Sequence, residues 1–294
     1  MAKYVINDEF LQQVETLQML IKNNIAGQFG GNRKSRTFGS SCEFADYRDY
    51  IPGDDIMRID WNAYARFEKL YQKLYYDERQ MHTKIYIDAS RSMEHGKGEK
   101  AEQAIKIAAT IAYLSVCEMD KASVYVIREK QIYEVFTGIV GKDAFFSAVA
   151  KLNEIEFSGD SYLSDAIIPT NVGRGDGLSV IISDFLTDNN YEDAISHLAD
   201  KKRDILCLQI LSREEIKPLI RGKMFLFDSE SIARTYKRNI DREIAQAYKK
   251  ALEYTVERIK NHCAARGAEY MFVEAEASVG ALFFEKMVEV GVLK

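Results

Sequence analysis

The sequence predicts an α/β fold, a doubly wound and mostly parallel sheet flanked by helices, and three observations carry it. Strand-like and helix-like segments alternate from Lys84 onward, as they do in parallel βαβ units. The chain has 294 residues, 47% of them hydrophobic and only 3 of them proline, enough apolar material for a sizeable core. Its most informative stretch, Lys-Ile-Tyr-Ile-Asp-Ala-Ser-Arg-Ser-Met at 84–93, runs from a short apolar strand into an aspartate and two serines. Open α/β sheets place their ligands at that carboxyl edge.

Taken in order, Asn7 and Asp8 cap a helix whose apolar positions Phe10, Leu11, Val14, Leu17, Leu20 and Ile21 repeat at helical spacing and end near Gly27. A basic loop, Gly30 to Arg36, follows; it lacks aromatic interleaving and suits an acidic protein surface better than nucleic acid. Strands are expected at Ile85 to Ile87, Ala122 to Ile127, Leu178 to Ile182, Ile205 to Leu211 and Tyr270 to Val273. Helices fall between them, from about Glu99 to Met119, Lys142 to Leu152, Tyr191 to Ala199 and Arg242 to Ala265. Lys130 to Phe136 reads as an antiparallel partner of the second strand, and a last helix spans Val279 to Val290. The stripe Ile244, Tyr248, Leu252, Val256 and Ile259 is expected to face the core.

Composition narrows the function. Acidic residues outnumber basic ones 45 to 40, a net charge of -5, so nucleic acid is not an expected partner. Cys42, Cys117, Cys207 and Cys263 form no Cys-x-x-Cys pair and read as thiols of a reducing compartment. The most apolar run, Ala104 to Cys117, is interrupted by Lys106 and falls short of the ~20 residues that span a bilayer. With no basic and apolar leader pattern at the start, a cytoplasmic location and no transmembrane segment are expected.

Asp88, Ser90 and Ser92 form a plausible metal seat, because carboxylate and hydroxyl oxygens at alternate positions suit a hard cation. Gly159-Asp160-Ser161 offers another hydroxyl or carboxylate, and the buried run Leu178 to Ile182 ends in Ser183-Asp184, which brings Asp184 to the same edge. The expected ion is Mg²⁺, with Mn²⁺ or Ca²⁺ as alternatives, weakly bound through a few hydroxyls and two water-mediated carboxylates. Asp88 and Ser90 also suit a plain helix cap. The appearance of Asp184 after a second buried strand weighs for the metal.

These residues, Asp88-x-Ser90-x-Ser92 with a distant hydroxyl and a distant aspartate, resemble the metal-ion-dependent adhesion site (MIDAS) of von Willebrand factor A domains. The resemblance implies that Ser90, Ser92 and Ser161 contact the metal while Asp88 and Asp184 act largely through water. That family usually has threonine where Ser161 stands, with Asp160 a competing ligand, and commonly has glycine after the last aspartate, where this chain has Phe185. A longer match runs from Glu43 to Asp55, Glu-Phe-Ala-Asp-Tyr-Arg-Asp-Tyr-Ile-Pro-Gly-Asp-Asp, and continues through Arg58-Ile59-Asp60-Trp61 and Ala65-Arg66. With Asp77-Glu78-Arg79 and Phe227-Asp228-Ser229-Glu230 it resembles the domain of unknown function 58 family. That resemblance implies a von Willebrand A-like, Rossmann-like domain and a MoxR-type AAA+ ATPase as partner. The implied division is an N-terminal helix and signature segment over 1–80, packed on a main domain over 81–294.

Within the signature, Arg48, Arg58 and Arg66 alternate with Asp46, Asp55 and Asp60. They read as a salt-bridged segment pinned by the only tryptophan, Trp61, or as a docking surface. The expected function is a non-enzymatic, metal-dependent protein interaction module, in which the cation's open position accepts an acidic side chain of the partner. The competing class is a metal-dependent phosphohydrolase using Asp88, but the general acid expected two positions later is Ser90. His82, His95, His197 and His262 show no paired metal spacing, and no P-loop sequence is present.

Overall fold

The computed structural model describes residues 6–28, 44–75, 80–94, 99–175, 177–187, 189–218, 222–227, 235–240 and 242–283. Cys42, the basic loop at 30–36, the signature segments at 77–79 and 228–230, and His95 lie outside the described residues. The chain divides into two compact units, one of Met1–Ile21 with Met81–Lys294 and one of Lys22–Gln80.

Helix α1 (Asp8–Gln28) begins as its sequence requires, with Asn7 Oδ1 accepting from Phe10 N at 2.9 Å. Phe10, Val14 and Leu17 on its inner face are buried, as is Ile6 just before it, and Asn153 clips the Ile6 backbone through bonds of 2.8 and 3.1 Å. The start of the helix, through Ile21, belongs to the larger unit.

The smaller unit holds an antiparallel pair, β1 (Phe44–Asp49) and β2 (Tyr71–Tyr75). Between them lie a 3₁₀ turn at Ile56–Arg58, capped by Asp55, and helix α2 (Trp61–Phe67). Asp60 caps α2 through Asn62 N and Ala63 N, and accepts from the Tyr47 hydroxyl at 2.8 Å. The Tyr47 bond is the main reason its carboxyl titrates at about 2. Arg48 pairs with Asp54 at 2.7 Å and Arg58 with Asp55 at 3.6 Å, so the segment is salt-bridged as expected. The Trp61 indole is 59% exposed, because it sits at the first turn of α2 and meets Tyr64 edge-on.

In the larger unit the chain runs β3 (His82–Asp88), α3 (Arg91–Glu94), α4 (Glu99–Cys117), β4 (Lys121–Arg128), β5 (Gln131–Ile139), α5 (Lys142–Ala148), α6 (Leu163–Ile167), β6 (Leu178–Ser183), α7 (Glu192–Asp200) and β7 (Asp204–Leu211). It continues through α8 (Arg213–Ile216), the hairpin β8 (Gly222–Phe227) and β9 (Thr235–Ile240), α9 (Arg242–Ala265), β10 (Glu269–Glu274) and the short α10 (Val279–Ala281). Beyond residue 283 the expected last helix falls outside the described residues.

Six strands form one sheet in the order β10-β7-β6-β3-β4-β5, all parallel except β5, which pairs antiparallel with β4. Tyr86, Tyr125, Ile127, Ile181, Ile205 and Cys207 join one core with residues of α6, α7 and α9. Their neighbours Ile85, Ile87, Val124, Val126, Val180 and Ile182 are buried with alternate orientation, and α4 packs on β3 and β4. Cover on both faces is why these strands read as continuous apolar runs.

The α9 stripe departs from expectation. Ile259 is buried and Leu252 and Val256 are half-buried, but Ile244 and Tyr248 are 40% and 38% exposed. Only the C-terminal half of the helix lies against the sheet core, where Ile259 and Cys263 pack.

Candidate metal centre

β3 and β6 are neighbours in register, with Ile87 opposite Ile182, so Asp88 and Ser183 leave the sheet side by side at its carboxyl edge. Asp88 Oδ1 accepts from Ser90 N at 2.9 Å, an Asx turn, and Oδ2 accepts from Ser183 Oγ at 2.5 Å. The turn brings the Ser90 and Ser92 hydroxyls to 3.0 Å from each other.

A second loop is laced to the first. Ser158 N donates to Ala89 O at 2.9 Å, Arg91 N to Gly159 O at 2.8 Å, and Glu129 N to Asp160 O at 2.8 Å. Gly159 has φ +69°, the left-handed region that favours glycine; a Cβ there would meet only the movable tip of the Glu129 side chain. Ser161, next in the loop, is 5% exposed, and its Oγ is buried without a hydrogen-bond partner. Asp160, the competing candidate, is half-buried and takes a long bond of 3.5 Å from the Tyr162 hydroxyl.

The third contribution is Asp184, 2% exposed. Its Oδ1 accepts from Leu186 N at 3.0 Å, and its Oδ2 accepts from Lys100 Nζ at 2.8 Å. Lys100 also reaches Glu215 Oε1 at 2.6 Å, while Glu215 Oε2 closes a capping box with Ser212. Burial, and then the Asp184 charge, push the Asp88 carboxyl above its usual range, against the pull of Ser183 and Ser90.

Two buried carboxylates, a hydroxyl pair and an unpartnered hydroxyl make a donor set that a hard divalent cation fits. An orphaned buried hydroxyl costs free energy unless something takes up its lone pairs. Among the described residues no cluster of three or more His, Cys, Asp or Glu could hold a metal, so a cation here would rest on hydroxyls and water as well as carboxylate.

Sequence reading missed Ser183, Lys100 and Glu215. Lys100 was detectable, since it shares helical spacing with Ala104, Ile107 and Ile111, all buried. Phe185 is more telling. It adopts φ 52°, the left-handed region that favours glycine, and is fully buried with its ring 5.3 Å from that of Tyr191. Burial of the ring offsets the backbone strain.

Similar proteins include "Uncharacterized protein Mb1516" of Mycobacterium bovis and "Uncharacterized protein Rv1480" of Mycobacterium tuberculosis, each 25% identical over 223 residues, 74% of this chain and 70% of theirs. Among solved structures, the SpRpn10 VWA domain matches 69% of this chain and 93% of its own at 10% identity and a TM-score of 0.36. The pilus adhesin SpaC of Lactobacillus rhamnosus GG matches 74% of this chain and 30% of its own at 9% identity and a TM-score of 0.42. At those scores the likeness adds nothing to what the strand order establishes. Residues 46–258, the signature segment and most of the sheet, match the model "Protein of unknown function DUF58", and the chain belongs to that family.

Proposed function

We propose that the protein is a non-enzymatic protein interaction module that holds a partner's carboxylate through a divalent cation, Mg²⁺ first, at the edge formed by Asp88, Ser90, Ser92, Ser161 and Asp184. The observation that supports it most is the Ser161 hydroxyl, buried and unpartnered on a loop laced to the one that carries Ser90 and Ser92. When bound, the cation supplies a positive charge with an open position that can take up an acidic side chain. The protein's own residues do the rest. Ser183 and the Ser90 amide orient Asp88, and the Asx turn presents Ser90 and Ser92 together.

A hydrolytic role has less support. Both oxygens of Asp88 are engaged, by Ser90 N and by Ser183 Oγ, and the position two residues on carries a hydroxyl in place of an acid. The partner is taken to be a MoxR-type AAA+ ATPase, on the strength of the signature that begins at Glu43.

Affinity capture from host extract with the tagged full chain tests this reading. In Mg²⁺ the wild type is expected to recover the ATPase, and Asp88→Ala is expected to lose it. Equal recovery in excess EDTA would overturn the cation dependence.

A further inference from the structure

Lys100 stands in the first turns of α4 with its side chain 3% exposed, as is that of Asp184. Its ammonium lies 2.8 Å from Asp184 Oδ2 and 2.6 Å from Glu215 Oε1. Held between two carboxylates, the ammonium already occupies one oxygen of an aspartate assigned to the divalent ion.

We propose that Lys100 determines how weakly this edge binds divalent cations: its tethered ammonium competes with the metal for Asp184, and Glu215 is the second anchor that holds it there. This inference rests on the cation reading above. Asp184 and Glu215 both face Lys100, whose ammonium lies at contact distance from each. In a site this dry, a like charge near an incoming divalent ion is screened far less than it would be in water. Without that ammonium, Asp184 Oδ2 would meet an incoming ion with no fixed positive charge beside it. With Lys100 in place, cation binding is expected to be weak until a further carboxylate arrives to share the ion.

Lys100 is thus a positioning and specificity residue, and its role is measurable without any activity. Calorimetric titration of the full chain with Mn²⁺ alone, at fixed neutral pH, compares wild type, Lys100→Gln and Lys100→Arg. Lys100→Gln is expected to bind Mn²⁺ about tenfold more tightly or better than wild type. Lys100→Arg, which keeps the charge, is expected to stay within about threefold of wild type. Binding by wild type with equal or weaker binding by Lys100→Gln overturns the role of Lys100 and leaves the cation reading standing. Binding by none of the three overturns both. Binding by Lys100→Gln alone supports both.

If circular dichroism shows that Lys100→Gln does not fold, the paired variant Lys100→Gln/Glu215→Gln removes both ends of one ion pair and frees Asp184. Tighter Mn²⁺ binding than wild type is expected there also, and affinity at or below wild type overturns the inference.

Discussion

The Ser183 hydroxyl donates to Asp88 Oδ2 across 2.5 Å, joining the ends of two adjacent parallel strands, with both residues buried. The same hydroxyl accepts from Phe185 N at 2.9 Å, so one side chain shapes both the carboxylate and the loop that carries Asp184. Nothing about Ser183 in the sequence marks it out. Its importance follows from strand register.

Ser183→Ala is expected to cost about 1–3 kcal/mol, since it leaves a buried carboxylate oxygen and a backbone amide short of a partner. Urea unfolding measures it. A change under about 0.5 kcal/mol would show that the hydroxyl is dispensable.

Ser161→Ala behaves oppositely in chelated protein. Its hydroxyl has no partner to lose, so stability in EDTA is expected to be unchanged or higher by up to about 1 kcal/mol. In saturating Mn²⁺ the wild type gains stability through ligand linkage, and the variant is expected to gain less. Thermal unfolding with and without Mn²⁺ checks both halves. Destabilisation in EDTA by more than about 1 kcal/mol would mean that the hydroxyl serves the fold itself.

Much of the larger unit was legible because a strand covered on both faces must be a short apolar run. Ile85 to Ile87 and Val180 to Ile182 could hardly be anything else once helices alternate with them. Periodicity identifies which residues share a face, but not whether that face is covered. Hence Ile244 and Tyr248 on α9 stand partly open, though they share a stripe with buried Ile259. The pairing of β1 with β2 spans an intervening turn and helix, too long a connection for a hairpin signal. Trp61 misled because size and rarity suggest burial, while its place beside the Asp60 cap leaves it at the surface. At the site, the Asp-x-Ser-x-Ser spacing was readable. Helical spacing marks Lys100 as buried, but its meeting with Asp184, from another element, was not readable.

Phe185→Gly sets two effects against each other. Glycine at φ 52° relieves about 1–2 kcal/mol of backbone strain, but loss of a fully buried ring costs about 3–5 kcal/mol. Net destabilisation of about 1–4 kcal/mol is expected, and Phe185→Ala, with strain retained, is expected to be worse. Chemical denaturation of both variants orders the two effects; a Phe185→Gly protein as stable as wild type would show that strain dominates.

His82 makes the larger unit acid-sensitive. Burial, followed by the charges of Lys84, Arg203 and Lys121, lowers its pKa from 6.5 to about 4, and its Nε2 lies 2.7 Å from Ser123 Oγ. Between these values the unfolded chain binds a proton that the folded chain refuses, so stability rises with pH across the window. The contribution is complete above pH 6.5 and drains away as pH falls toward about 4. Other carboxylates add their own slope at the acid end, so the informative quantity is the difference from a variant that does not titrate there. His82→Asn is expected to lower stability at neutral pH through the lost packing and Ser123 contact, yet to flatten the dependence between pH 6.5 and about 4. Urea midpoints for both proteins at several pH values decide it, and parallel curves would place the acid sensitivity elsewhere.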